Sequence, residues 1–145
     1  MPRDGRTAVF DASAIVALVA GREEAVRRLR PVLDAVLEGS RRGVISFVNA
    51  AEVQYVVAQE LEAAGQDVFG FLKHARIEMG GINKAQTLLV AEAKAIVKDM
   101  SLGDAFAFAL AANRSGRLFT SDPVFDHPWV KARIALTRLP GKKRS

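Results

Sequence analysis

Short apolar runs along this chain alternate with longer stretches whose apolar residues recur at helical spacing. Brief runs rich in β-branched and aromatic residues are typical of buried strands, whereas apolar positions three or four residues apart are typical of helices. Four such runs predict strands: Thr7 to Phe10, Val44 to Val48, Arg117 to Thr120 and Ala132 to Leu139.

The stretches between these runs predict helices, most of which end at a glycine. The predicted helices are Ala12 to Ala20, Arg22 to Glu38, Asn49 to about Ala64, Asp67 to Met79, Gln86 to Lys98 and Ser101 to Asn113. Pro31 is expected to divide the second helix, because proline removes a helical hydrogen-bond donor and clashes with the preceding turn. Between Ile82 and Gln86 the pattern is least clear, and we expect either a loop or a short strand there.

Strands separated by helices indicate the α/β class, with a mainly parallel central sheet and helices on both faces, that is, a three-layer α/β/α sandwich. The chain has 145 residues, which suits one domain with a proper core. We therefore expect a single domain over residues 1–145, with a basic, loose tail over 141–145.

The composition excludes several chemistries. With no cysteine there is no disulfide, thiolate zinc site or cysteine nucleophile, and two histidines cannot build a multi-histidine metal cage. The longest uncharged stretch, Ala12 to Gly21, is too short to cross a membrane, and residues 1–6 lack an apolar signal core. We expect a cytoplasmic protein, and its formal charge of +5 fits a polyanionic partner such as nucleic acid.

Two aspartates occupy the same kind of position in distant parts of the chain. Asp11 follows the first predicted strand, and Asp122 follows the strand that ends at Thr120. The carboxyl ends of parallel strands form the ligand crevice of such sheets, so both aspartates would lie beside it. Each is also open to a structural interpretation, Asp11 as a helix cap and Asp122 as a cap or turn residue.

Two further acids lie at the edges of apolar helices. Glu52 has valines around it on a helix, with Asn49 one turn earlier and able to hydrogen-bond it. Asp104 opens an alanine-rich helix three residues after Ser101, which also resembles a capping box. The structural alternative for Glu52 is a glutamate that reaches solvent at the rim of the sheet.

The unusual positions of all four acids have one explanation if the fold brings their side chains together at one site. Clustered carboxylates repel one another and need a cation, and hard oxygen ligands suit Mg²⁺ or Mn²⁺. A carboxylate-held ion can orient and deprotonate water for attack on a phosphodiester. The net positive charge of the rest of the chain would then hold a nucleic-acid backbone.

Four short motifs, taken in order, resemble the PIN-domain family over about Val9 to Leu139. These are Asp11-Ala-Ser-Ala-Ile-Val-Ala-Leu18, Val48-Asn-Ala-Ala-Glu-Val53, Ser101-Leu-Gly-Asp-Ala105 and Thr120-Ser-Asp122. Within the family the chain is most similar to VapC-type toxins of bacterial toxin–antitoxin pairs. The resemblance implies a PIN-like α/β/α fold, Mg²⁺- or Mn²⁺-dependent endoribonuclease activity on RNA, a homodimer, and a small cognate antitoxin.

Carried over by motif, the resemblance makes Asp11, Glu52, Asp104 and Asp122 the catalytic, metal-binding acids. Thr120 would be a supporting hydroxyl and Asn49 a supporting amide. Two other functions stay open. One is a non-catalytic PIN-fold module that binds RNA or protein. The other, less favoured, is a receiver-type signalling domain, which also holds Mg²⁺ at strand ends but needs paired acids and a late lysine that this sequence lacks.

Overall fold

The computed structural model describes residues 6–60 and 67–141, and the architecture within these ranges is a five-stranded sheet between two layers of helices. The strands are β1 (Thr7–Phe10), β2 (Arg42–Ser46), β3 (Ile77–Gly80), β4 (Arg117–Thr120) and β5 (Ala135–Arg138). Their order across the sheet is β3-β2-β1-β4-β5, and all neighbours pair in parallel. The α/β/α sandwich with a parallel sheet is therefore confirmed.

The helices connect the strands and cover both faces of the sheet. They are α1 (Ala12–Val19), α2 (Glu23–Glu38), α3 (Phe47–Glu60), α4 (Val68–His74), α5 (Lys84–Ile96), α6 (Leu102–Arg114) and α7 (Pro128–Lys131), with a 3-10 turn at Pro123–Asp126. Within the described ranges no helix combines the length and the apolar character that a membrane crossing requires.

Alternate residues of each strand point into two separate cores. Phe10 and Ile45 face the layer that contains α1 to α4, whereas Val9 and Leu118 face the layer that contains α5 to α7. This division follows from the period of two along a strand. Both faces of the sheet are thus buried at its centre, which is why the inner positions of the central strands β1, β2 and β4 are apolar.

The order of the strands reverses direction between β1 and β4. From β1 the chain adds β2 and β3 on one side, and then returns to place β4 and β5 on the other. Such a switch point leaves a crevice at the carboxyl ends of the two central strands. Asp11 and Ser121 are the residues that follow these two strands.

Three predicted elements differ from the structure. The predicted helix Asp67 to Met79 is wrong beyond His74, because Arg76 adopts a left-handed backbone (φ 61°) and Ile77–Gly80 then pairs with β2. No strand forms between Ile82 and Gln86, because Asn83 caps α5 in a capping box with Gln86. The last strand begins at Ala135 rather than Ala132, because α7 precedes it.

Smaller differences concern element boundaries. The second strand ends at Ser46 rather than Val48, because the Ser46 hydroxyl accepts a hydrogen bond from the Asn49 amide and so starts α3 earlier. The predicted end of that helix near Gly65 lies outside the described residues, as do the tail residues 142–145. Pro31 does not divide α2, which runs unbroken from Glu23 to Glu38.

The continuity of α2 has a simple physical basis. Its buried residues, Ala25, Leu29, Val32 and Val36, form one stripe against the core. Pro31 lies on the exposed side, so the hydrogen bond it cannot donate is lost beside water. Packing of the apolar stripe outweighs that local loss.

We expect Pro31→Ala to stabilise the protein. The substitution restores the missing helical donor, which stabilises a helix interior by up to about 3 kcal/mol. It also destabilises the fold by about 0.4–1 kcal/mol, because the unfolded chain gains conformational freedom. Urea denaturation should therefore show a net gain of about 1–2 kcal/mol. Pro31→Gly is the matched control and should lie about 1 kcal/mol below Pro31→Ala. A loss of stability in Pro31→Ala would contradict this account of α2.

Candidate active site

The candidate site lies at the carboxyl ends of β1 and β4, at the switch point of the sheet. The Asp11 amide donates to the carbonyl of Phe119 (3.0 Å), so the ladder continues past β1 and fixes the backbone of Asp11. On the other side of β4, the Leu139 amide donates to the carbonyl of Thr120 (2.8 Å). The backbone that carries Asp11 and Thr120 is therefore held by the sheet itself.

The Asp11 carboxylate is buried and is held from one side only. Its Oδ2 accepts hydrogen bonds from the hydroxyls of Thr120 (2.7 Å) and Ser13 (3.0 Å). Its Oδ1 is buried without a hydrogen-bond partner among the described residues. Asp11 precedes α1, but its side chain does not cap that helix, so the cap interpretation does not explain it.

A small hydroxyl network supports this arrangement. The Ser13 and Thr120 hydroxyl oxygens lie 3.2 Å apart, and Ser13 Oγ also accepts a hydrogen bond from the Ser121 amide (3.0 Å). The Asp122 amide donates to Thr120 Oγ1 (3.0 Å). Thr120 is fully buried, and so joins the loop after β4 to the carboxylate at the end of β1.

Asn49 is fully buried and positions Glu52 against the start of α6. Its side-chain nitrogen donates to the carbonyl of Gly103 (2.9 Å) and to Glu52 Oε1 (3.3 Å). Ser46 hydrogen-bonds both the side chain and the amide of Asn49. A Cβ added to Gly103 would lie 2.5 Å from Glu52 Oε1, so a larger residue there would displace this carboxylate from its present position.

Asp104 faces the other acids from the first turn of α6 and is 7% exposed. The Ser101 hydroxyl accepts from its amide (3.1 Å), which confirms Ser101 as the helix cap and leaves the Asp104 carboxylate free of that role. The Asp122 side chain lines the same cleft and is close enough to raise the pKa of Asp104. Asp122 also caps the 3-10 turn through the Val124 amide (2.9 Å), so its structural interpretation holds in part.

Burial and mutual repulsion make these acids hard to ionise. Burial raises the pKa of Asp104 to about 8, and the carboxylates of Asp11 and Asp122 act in the same direction. Burial also raises the pKa of Asp11 to about 6, although the hydrogen bonds from Thr120 and Ser13 partly oppose it. Perturbed carboxyl groups that share one cleft are typical of functional sites.

All four predicted acids line one cleft of about 330 Å³. The structure therefore brings together Asp11, Glu52, Asp104 and Asp122, with Thr120 and Asn49 directly behind them. As the side chains stand, no three acidic or histidine residues within the described ranges surround one point closely enough to hold a metal ion. The acids form an open, carboxylate-lined cleft rather than a closed cage.

Several residues of the site escaped the reasoning from sequence. Ser13 and Ser46 support Asp11 and Asn49, and Arg22 and Asp99 line the cleft itself. Ser13 stands two residues after Asp11, at the spacing of a local side-chain hydrogen bond, so a signal for it existed. Asp99 and Arg22 carry no such signal, because each lies in a charged segment and only the packing of helix ends brings it to the cleft.

Comparison with known proteins agrees with the architecture. The family model described as PIN domain matches residues 8–128. No curated protein matches the chain in sequence.

Solved structures with a similar fold include VapBC2 from Rickettsia felis bound to a DNA fragment from their promoter (TM-score 0.67, 16% identity, 92% of this chain and 98% of that one). VapBC-1 from nontypeable Haemophilus influenzae aligns similarly (TM-score 0.67, 14% identity, 91% and 97%). So does a toxin-antitoxin complex from Klebsiella pneumoniae (TM-score 0.62, 18% identity, 90% and 95%). At such identities the likeness establishes a common fold.

The raised pKa values predict how the stability of the metal-free protein changes with pH. An aspartate whose pKa is higher in the folded state than in the unfolded state binds more protons when folded. Its contribution to the stability of the fold is therefore fully present below the unfolded pKa of 3.8, and it is lost as the pH rises through about 8. In the presence of a chelator, we expect Tm to fall between about pH 5 and pH 8.5. The Tm of Asp104→Asn should fall less over this range, and at the alkaline end it should be higher than the Tm of the wild type.

Asp34→Asn is the matched control, because Asp34 lies on the exposed side of α2. Its Tm should follow the wild-type profile at every pH. Thermal unfolding followed by circular dichroism measures all three proteins. Parallel profiles for wild type and Asp104→Asn would contradict the predicted role of Asp104.

Proposed function

The chain belongs to the PIN domain family, and on that premise we propose that it is a metal-dependent endoribonuclease of the VapC type, the toxin of a toxin–antitoxin pair. The observation that carries the proposal is the buried Asp11 Oδ1, which has no hydrogen-bond partner in the described parts of the chain. A buried carboxylate oxygen without a partner is costly unless a proton or cation meets it. Asp11 lines a cleft with other acids, where a cation would serve all of them.

The donor set of the cleft fits Mg²⁺ or Mn²⁺. Asp11 and Asp104 would hold the ion, with Glu52 and Asp122 completing its surroundings. Two protein carboxylates suffice, since Mg²⁺ keeps several waters and shares its coordination with substrate phosphates. The presence of Asp104 and Asp122 in one cleft supports this assignment, because neighbouring carboxylates repel each other unless a proton or a cation neutralises them. When bound, the ion would polarise the scissile phosphate and lower the pKa of the attacking water.

The other residues of the site would keep the acids in a reactive arrangement. Thr120 and Ser13 orient the Asp11 carboxylate through Oδ2 and leave Oδ1 for the ion. Asn49 holds Glu52 at the start of α6. Because these donors are themselves fixed by the sheet and by helix ends, the acids need little rearrangement before the reaction.

The alternative functions receive less support. A receiver-type domain needs a lysine beside its acids, and no lysine lines the cleft within residues 6–60 and 67–141. A non-catalytic binding module would not need four carboxylates in one cleft at the cost of their repulsion. It remains an outcome of the cleavage experiment.

We expect the protein to cleave single-stranded RNA only with Mg²⁺ or Mn²⁺, and Asp11→Asn to lose at least about a hundredfold in rate. Loss of a residue that supports a metal ligand typically lowers activity about 10–100-fold. The cleavage rate of Thr120→Val should therefore fall by that factor, and the rate of a variant that lacks a direct ligand should fall by at least the upper end of it. Gel analysis of end-labelled RNA, with EDTA and with added metal, measures each rate. Asp34→Asn should cut like the wild type.

Unaltered cleavage by Asp11→Asn would contradict the nuclease proposal as stated. RNA binding without cleavage by the wild type, at any metal concentration, would favour the non-catalytic module. Isothermal titration with Mn²⁺ adds a readout other than activity, since Asp11→Asn and Asp104→Asn should each weaken metal binding.

The proposal includes two protein partners, a small cognate antitoxin and a second copy of the chain. The likeness to VapBC and toxin-antitoxin complexes over at least 90% of this chain supports the first. Large apolar side chains left exposed on α3, α5 and α6, such as Tyr55, Leu88 and Leu102, support a partner surface of some kind.

We expect the purified protein to be a homodimer, because these apolar side chains would otherwise face water. Light scattering after size exclusion should give twice the chain mass of 15.7 kDa. Dilution to low concentration tests whether the association is reversible. A mass of one chain at every concentration would contradict the dimer without affecting the nuclease proposal.

A further inference from the structure

Arg22 is the one basic residue that lines the acidic cleft among those the structure describes. It shares the cleft with five carboxylates, those of Asp11, Glu52, Asp99, Asp104 and Asp122. Its side chain is half-buried at the junction of α1 and α2. An arginine in such surroundings would ordinarily be paired with an acid.

Arg22 has no such partner in the part of the chain that the structure describes. Within residues 6–60 and 67–141 its guanidinium makes no hydrogen bond and no ion pair. Its neighbours on α2 differ, since Arg27 and Arg28 are both tied to Glu24. The guanidinium donors of Arg22 are therefore available to a ligand, whereas those of Arg27 and Arg28 are engaged by Glu24.

The backbone of Arg22 is fixed from both sides. Gly21 has a left-handed backbone (φ 68°), and the amides of Gly21 and Arg22 donate to the carbonyls of Leu18 and Ala17 (both 3.0 Å). This is the hydrogen-bond pattern that closes a helix end. On the other side, the Arg22 carbonyl accepts from the Val26 amide (2.9 Å) as α2 begins. The residue thus stands at a set place on the cleft wall.

Arg22 also lines a second, larger groove of about 800 Å³. That groove is lined by the start of α2, including Glu23, Glu24 and Arg27, and by Pro140 and Gly141. Arg22 is the residue, among those described, that lines both the acidic cleft and the outer groove. A strand of RNA that enters the cleft and leaves along this groove would pass its guanidinium.

We propose that Arg22 binds a phosphate of the RNA strand at the mouth of the cleft, an inference that rests on the proposed function. Five carboxylates repel a polyanion, so the substrate needs a cation on the cleft wall in addition to any metal ion. A guanidinium is planar, remains charged at every relevant pH and binds two phosphate oxygens at once. Arg22 lines the cleft where that role requires a cation, and its guanidinium has no competing hydrogen bond or ion pair within the described ranges.

The test separates binding from cleavage. Fluorescence anisotropy of a labelled single-stranded RNA in EDTA, where no metal supports cleavage, measures Kd for wild type, Arg22→Gln and Arg22→Lys. Arg22→Gln should bind about tenfold or more weakly, since hydrogen bonds to charged groups are among the strong ones. Its slope of log affinity against log salt should fall by about 0.7, the value of one lost phosphate contact on a single strand. Arg22→Lys should recover part of the affinity but not all of it.

Arg76→Gln is the matched control, because it removes the same charge from an exposed residue just before β3, at the opposite end of the strands. Its affinity and salt slope should equal those of the wild type. The Arg22 variants should keep the wild-type Tm, because the side chain has no partner among the described residues to lose.

Cleavage rates then complete the comparison. Arg22→Gln should lower kcat/KM by about 10- to 100-fold, with part of the loss in KM. If Arg22→Gln kept the wild-type affinity, salt slope and kcat/KM, this inference would be overturned and the nuclease proposal would stand. Weaker binding of a protein partner by that variant would not change this conclusion. If wild-type protein neither binds nor cuts RNA, the proposed function fails, and the assignment of Arg22 to RNA fails with it.

Discussion

The parallel pairing of β1 with β4 is the constraint on which the rest of this structure depends. It brings together two segments that are 109 residues apart at the Thr120–Asp11 hydrogen bond. The pairing creates the switch point of the sheet, and the crevice there is open because the connecting helices diverge to opposite faces. Asp11 and Asp122 approach this crevice from the ends of β1 and β4, and Glu52 and Asp104 from the first two turns of α3 and α6.

The site opposes the stability of the fold that carries it. Carboxyl groups crowded in a buried cleft raise one another's pKa, and the protein keeps them there only because packing elsewhere is sufficient. Two separate cores supply that packing, with stacked Phe10 and Phe119 in one (centroids 5.8 Å apart) and Phe108 against Trp129 in the other (5.2 Å). A cation in the cleft would relieve the conflict, so metal binding and folding are expected to support each other.

Small residues allow the helices to deliver these acids. Alanines on the buried faces of α1 and α6, such as Ala14 and Ala107, let both helices approach the sheet closely. The absence of a side chain at Gly103 leaves the Glu52 carboxylate its place at the start of α6, since an added Cβ would lie 2.5 Å from Oε1. Arg22 adds a contrasting element, a cation with no protein partner among the described residues, held at the rim by the closed end of α1.

The amino-acid sequence by itself determined the fold class, and it singled out the four acids that line the cleft. It could do so because carboxylates such as Asp11 and Asp104 interrupt apolar segments at strand ends and helix starts, which is a local pattern. It misjudged the segment Ile77–Gly80, which has helical neighbours and becomes a strand only because β2 offers an open edge. It also misjudged Pro31, whose local cost is outweighed by the buried stripe of α2.

Only the tertiary structure decided that Arg22 and Asp99 line the cleft and that Asp11 Oδ1 lacks a hydrogen-bond partner among the described residues. Those facts depend on distances between segments far apart in the chain, and no local pattern of residues encodes such distances.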